Sequence, residues 1–368
     1  YKTSVCAVPS ALAVAERLGV VHGRDLIAAA CTGIDLGIRM GLAIVPQPAH
    51  PTANMLGPFA SATAAAKLLR LDGSAVWDAL GLAICGVSPA GVSTGGLSYS
   101  KRYLVGAASR NGVMAALLAA RGFHARRAIF SGVENYYRII HGRDGAIDVL
   151  LDKLGECFEV VNVGPKPFPS CRYTHGPVEA ALLMTLERNL RPEDVKEVRV
   201  TVGPRDYEIV FGGDGGLASK QEPRSVVDAQ FSIPYTVAAA ITQRRLFLDD
   251  MTEQAIGRPD VIALAKRVVP VIEQSFDSWP ADVKPSSVEI ATVSGSICSR
   301  RIDYPKGNPR NPVPFDEMRS NFLECAVRAV QPCSREKAEH ARDVLENLEK
   351  CEDVRAITEL LSPSPTNH

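Results

Sequence analysis

Through the first 130 residues, hydrophobic positions recur at three- and four-residue spacing in helix-length pieces separated by turn residues, and β-branched runs are scarce. That pattern predicts an all-α region. Residues 10–18 follow Pro9, which suits an early helical turn, and stop at Gly19. Residues 26–40 repeat the pattern. Residues 60–71 end at Asp72-Gly73, after which Ser74 is placed to cap a helix carrying Trp77, Leu80, Leu82 and Ile84. A small-residue helix over 107–120 ends near Gly122 and a basic loop with His124, Arg126 and Arg127. So much alanine and glycine predicts closely packed helices.

Near residue 157 the period changes. Residues 158–163 and 195–202 alternate at period two and read as strands, with a helix over 176–190 between them. Residues 225–241 and 259–268 read as helices, and 287–293 as a strand joined through Ser294-Gly295-Ser296 to a second strand over 297–302. This half is expected to be a small mixed or antiparallel sheet covered by helices. The Gly/Pro/Asn stretch 306–312 breaks the chain, and 315–330, 334–350 and 353–361 return to helical spacing. The expected class is mainly α. It comprises a large all-α helical domain over 1–156, a smaller α/β domain over 157–313, and C-terminal helices over 314–368 that pack back on the first domain.

Composition narrows the function without naming it. With 46% hydrophobic and 22% charged residues in 368, the chain has the make-up of an ordinary globular protein. Lys+Arg and Asp+Glu number 41 each, so no global field recruits nucleic acid or an anionic membrane, and neither is an expected partner. Nine scattered cysteines without a C-x-x-C pair signal neither a disulfide framework nor a zinc site, and fit a reducing cytoplasm. No apolar run of about 18 residues and no charged-then-apolar leader are present, so no membrane span or signal peptide is expected. The chain opens on Tyr1 rather than Met, as expected of a processed or incomplete N-terminus.

Phosphate loops, G-x-S-x-G, H-E-x-x-H and dinucleotide fingerprints are absent from the sequence. What remains is local. His50 and Thr52 precede a small-residue helix, where free backbone N–H groups favour a carboxylate; the competing reading is a capping loop. Lys101 and Arg102 form a basic patch in the most apolar third of the chain, either a solvated loop or an anion pocket. The densest constellation runs from Lys166 to Pro177. Pro167 and Pro169 stiffen it, and Cys171, Arg172, Tyr173, Thr174 and His175 gather before a helix start, with structural capping as the alternative. A polar string from Asp228 through Gln230 to Tyr235 opens another helix. Tyr235 taken alone reads as core packing.

Six strings together carry a resemblance. They are A-V-P-S-A-L-A-V-A-E (7–16), H-P-T (50–52) with the helix over 62–72, K-R-x-x-x-G-A-A-x-x-N-G (101–112), K-P-F-P-S-C-R-x-T-H (166–175), D-A-Q-F-S-I-P-Y (228–235) and G-N-P-x-N-P (307–312). Their order resembles the MmgE/PrpD family, which includes 2-methylcitrate dehydratase, cis-aconitate decarboxylase and iminodisuccinate epimerase. The resemblance implies a helical domain plus an α/β lid, a homodimer, no metal or organic cofactor, and a small polycarboxylate substrate held between the domains. It implies catalytic roles for His50, Lys101, Lys166 and Tyr235. Substrate contacts are expected from Asp35, Thr52, Arg102, Cys171, Arg172, His175 and Gln230. Leu104 stands where some members have His, and Cys171 stands where animal cis-aconitate decarboxylases have His and dehydratase-like members have Cys. The expected activity is a 2-methylcitrate dehydratase-like lyase. An epimerase or isomerase, a decarboxylase, and an inactive carboxylate-binding paralogue are the alternatives.

Overall fold

A computed structural model describes residues 2–44, 53–88, 100–213, 215–279 and 283–362. The chain divides into two compact units. Unit 1 comprises residues 1–92, 100–162 and 322–368, and unit 2 comprises 93–99 and 163–321.

Unit 1 is helical. It holds α1 (Ser4–Leu18), α2 (Gly23–Leu42), α3 (Ala53–Leu68), α4 (Gly73–Ala83), α5 (Ser100–Ala119) and the short α6 (Tyr136–His141) and α7 (Ile147–Leu151). The first helix starts six residues before its expected position, with Pro9 inside it, and Asp72 rather than Ser74 caps α4 by accepting from the Ala75 amide at 2.8 Å. Almost every side chain of α3 is buried, and α1, α2 and α5 pack around it. Small residues permit that approach: a Cβ on Gly112 would stand 2.3 Å from the Pro58 carbonyl oxygen. Pro58 inside α3 removes the donor that would have met the Asn54 carbonyl, and the Ser88 amide takes its place at 3.4 Å.

A buried clamp fixes α2 to the segment 150–159. Arg39 pairs with Asp35 at 2.8 Å and donates to the carbonyls of Leu150, Asp152 and Cys157, while the second Asp35 oxygen accepts from the Glu159 amide at 2.6 Å. Here the expected strand over 158–163 is corrected to a 3-10 turn, Glu159–Asn162. Phe158 and Val161 are exposed, so the alternation buries neither face, and the Glu159 amide is spent on Asp35 instead of a ladder. The last helices of the chain, α16 (Arg335–Glu346) and α17 (Arg355–Leu361), belong to this unit. The turn between them bonds to the start of α2 through Gly23 N to Cys351 O at 2.8 Å and Val354 N to Val21 O at 3.0 Å.

Unit 2 is built on a four-stranded mixed sheet in the order β2-β1-β3-β4, from β1 (Val195–Val202), β2 (Val268–Ile272), β3 (Ser286–Thr292) and β4 (Ile297–Ile302). β1 and β2 are parallel, with Val198 opposite Val268; β3 is antiparallel to β1 and forms a hairpin with β4. From Val198 onward in β1, and throughout β3, the buried positions alternate as period two requires, while a bulge at the start of β1 sets buried Val195 and Val198 three apart. The long helix α8 (Arg172–Arg188) packs on β3 and β4. Between β1 and β2 run α9 (Pro204–Val210), α10 (Gly216–Gln221), α11 (Val226–Gln230), α12 (Ile233–Gln243), α13 (Glu253–Ile256) and α14 (Pro259–Ala265). The expected helix over 225–241 is two helices, because Ser232 caps a new start by accepting from the Tyr235 amide. The expected helix over 259–268 stops at Ala265, and Val268 opens β2, whose Pro270 is tolerated because the strand is an edge. After β4, α15 (Phe315–Val327) leads to the last helices. Among the described residues no helix is long and apolar enough to cross a membrane.

Candidate functional site

The site is built at the start of α8. Pro167 and Pro169 restrict the approach, and Lys166 folds back to donate to the Ser170 carbonyl. Ser170 and Thr174 share a hydroxyl hydrogen bond at 2.7 Å, and Thr174 Oγ1 donates to the Cys171 carbonyl at 2.9 Å. The Cys171 amide donates to the Gln230 carbonyl at 2.8 Å, so the end of α11 holds the N-cap of α8. That N-cap supplies no side-chain acceptor. Arg172 is the first helical residue and lies over the ring of Tyr173, 5.4 Å from its centroid.

His175, one turn further on, is 4% exposed, with the Phe168 ring edge-on at 5.4 Å. Its Nε2 has no hydrogen-bond partner. Burial, assisted by the Lys166 charge, pushes its pKa down to about 3 against the opposing backbone contacts of Ser170 and Phe168. The imidazole is therefore neutral at pH 7, and the positive charges here come from Lys166 and Arg172.

The structure thus brings Lys166, Cys171, Arg172, His175 and the Gln230 backbone together within unit 2. It gives two expected site residues structural partners instead. Tyr235 is 1% exposed, and its hydroxyl donates to the Asp250 carbonyl at 2.6 Å, so the phenol ties α12 to the turn over 248–250 inside the core. Asp35 spends both carboxylate oxygens on Arg39 and the Glu159 amide in unit 1. Lys101 and Arg102 occupy the first turn of α5, Lys101 partly buried and Arg102 exposed. His50 and Thr52 lie outside the described residues.

Three ionisable groups near α8 went unnoticed in the sequence. Lys220 on α10 is 6% exposed, with its Nζ 3.4 Å from the Ile209 carbonyl; burial lowers its pKa, and the nearby Asp228 carboxylate opposes that. Asp206 on α9 and Lys284 before β3 face each other as an ion pair at 3.8 Å. Nothing local marks them, since their burial is a tertiary outcome. Among the described residues no group of three His, Cys, Asp or Glu side chains is placed to hold a metal ion.

This mainly helical chain, with a small mixed sheet and a cationic helix start, matches two models of one family. The MmgE/PrpD N-terminal domain matches residues 1–146 and the MmgE/PrpD C-terminal domain residues 168–347, and the chain belongs to the MmgE/PrpD family. Its relatives include a cis-aconitate decarboxylase of Aspergillus terreus (strain NIH 2624 / FGSC A1156), 26% identical over 95% of this chain and 73% of that one. Another is the cis-aconitate decarboxylase-like protein oryM of Aspergillus oryzae (strain ATCC 42149 / RIB 40), 25% identical over 96% of this chain and 76% of that one.

Proposed function

We propose that the chain is a lyase that acts on a small polycarboxylate without metal or organic cofactor, and that its reaction is a decarboxylation of the cis-aconitate type. The carrying observation is the placement of cations at helix starts. Arg172 opens α8, and Lys101 and Arg102 sit in the first turn of α5. A cation there opposes the helix dipole by about 0.3–1 kcal/mol, so these residues are not present for helix stability. With a carboxylate bound at either helix start, that helix's own dipole, backbone N–H groups and cationic side chain attract it together.

Decarboxylation releases CO2 and leaves its electron pair on the neighbouring carbon. A remaining conjugated carboxylate takes up that charge as an enediolate, which Lys166 and Arg172 stabilise before a proton returns to carbon. His175, buried and neutral, is not the proton source in this scheme. The cis-aconitate decarboxylase relatives favour this reaction. Cys171 favours a second reading, dehydration of a 2-methylcitrate-like substrate, since dehydratase-like members carry Cys at that place. Incubating EDTA-treated protein with cis-aconitate, 2-methylcitrate, citrate and iminodisuccinate, followed by proton NMR and CO2 capture, tests both. CO2 from cis-aconitate is expected. Water loss from 2-methylcitrate instead selects the second reading, a requirement for added metal removes the cofactor-free part, and turnover of none overturns the proposal.

A further inference from the structure

Tyr173, the second residue of α8, is 7% exposed and carries two cations over its ring. Arg172 lies 5.4 Å and Lys284 5.6 Å from the ring centroid. The Lys284 side chain is 15% exposed, and its one ion pair among the described residues is to Asp206 Oδ1 at 3.8 Å, beyond hydrogen-bond reach. Asp206 is 6% exposed, and that oxygen has no hydrogen-bond partner. Elsewhere in the chain, a buried pair kept for structure closes fully, Arg39 on Asp35 at 2.8 Å. The Lys284 pair is open.

The surrounding charges explain why it stays open. Arg172, Arg205 and Lys284 face Asp206 and Asp277, and Asp277 already accepts from the Arg205 amide at 3.1 Å. Among the described residues, these are three cations to two carboxylates. An ammonium with unused donors, held against an aromatic face, is prepared for an incoming anionic oxygen. We infer that Lys284 is a carboxylate-binding residue, which with Arg172 beside the Tyr173 ring forms a two-cation seat for a di- or tricarboxylate, Asp206 serving as its resting counter-ion. Burial pushes Lys284 down and Asp206 up, and the charge of each opposes that shift in the other.

The inference rests on the polycarboxylate reading above, and the test separates the two. Titration calorimetry of the full chain uses tricarballylate, a saturated tricarboxylate, with acetate as a single-carboxylate control. Lys284→Met is expected to weaken tricarballylate binding about tenfold or more, Lys284→Arg to keep most of it, and acetate to be indifferent. Because Lys284→Met strands a buried carboxylate, Lys284→Met combined with Asp206→Asn removes both charges and must show the same loss with an unchanged circular dichroism spectrum. Asp206→Asn alone is expected to bind as tightly as wild type or more tightly; a loss as large as that of Lys284→Met overturns the counter-ion role. Wild-type binding retained in the double variant overturns the inference alone. If wild type neither binds tricarballylate nor turns over any of the four acids, the proposed function falls and takes this inference with it.

Discussion

Lowering the pH should destabilise this protein through one imidazole. His175 has a pKa of about 3 in the fold against an ordinary 6.5 when the chain is unfolded. Between those values the unfolded chain binds a proton that the folded one refuses, so stability is fully present above pH 6.5 and is lost as the pH falls toward 3. At 1.36 kcal/mol per pH unit the loss is about 2.7 kcal/mol by pH 4.5 and approaches about 5 kcal/mol at pH 3. Carboxylates titrate in part of the same range, so the measurement is a difference. Urea unfolding of wild type and His175→Gln at pH 7.5, 6.5, 5.5 and 4.5 should give curves that converge as the pH falls, because the variant carries no such penalty. A constant gap across the series, or a His175 resonance titrating near 6.5 by NMR, would refute the buried, neutral assignment.

Three further substitutions separate structure from chemistry. Asp35→Asn leaves Arg39 buried without its counter-charge and should cost about 3 kcal/mol or more by urea unfolding, somewhat moderated by three remaining carbonyl acceptors. Tyr235→Phe should cost about 1–2 kcal/mol for the lost bond to Asp250 with kcat/KM unchanged; a hundredfold fall in kcat would restore a catalytic phenol. Lys166→Ala should lower kcat/KM by about two orders of magnitude with stability within about 0.5 kcal/mol, since the side chain is exposed, and unchanged kinetics would remove it from the site.

Where local patterning and tertiary burial agree, the elements could be read in advance. β3 and most of β1 alternate and do bury alternate residues, and β4 buries Cys298 between exposed neighbours. Residues 158–163 alternate as well, yet Arg39 claims the Cys157 carbonyl and Asp35 the Glu159 amide, from 118 and 124 positions away in sequence. β2 was hidden by Pro270, which argues against a strand unless its edge position is known. The break before α12 was legible in Ser232 and Pro234, a cap and a first-turn proline. For the site, the string from Lys166 to His175 announced itself by density. Lys284 and Asp206 could not, because a single Lys and a single Asp 78 positions apart acquire meaning only when the fold buries them together.

The discontinuity of unit 1 reverses the order in which the chain can finish folding. Its first helices are made early, but the turn that bonds Gly23 and Val21 comes from residues 351 and 354. Unit 2, apart from residues 93–99, is one continuous stretch ending at 321. During synthesis at about 5–20 residues per second, the later-made half is therefore complete seconds before the earlier-made half receives its closing segment. Until then the Gly23 amide and the Val21 carbonyl lack the partners that Cys351 and Val354 later provide, so the earliest-made helices are the last to have their edge closed.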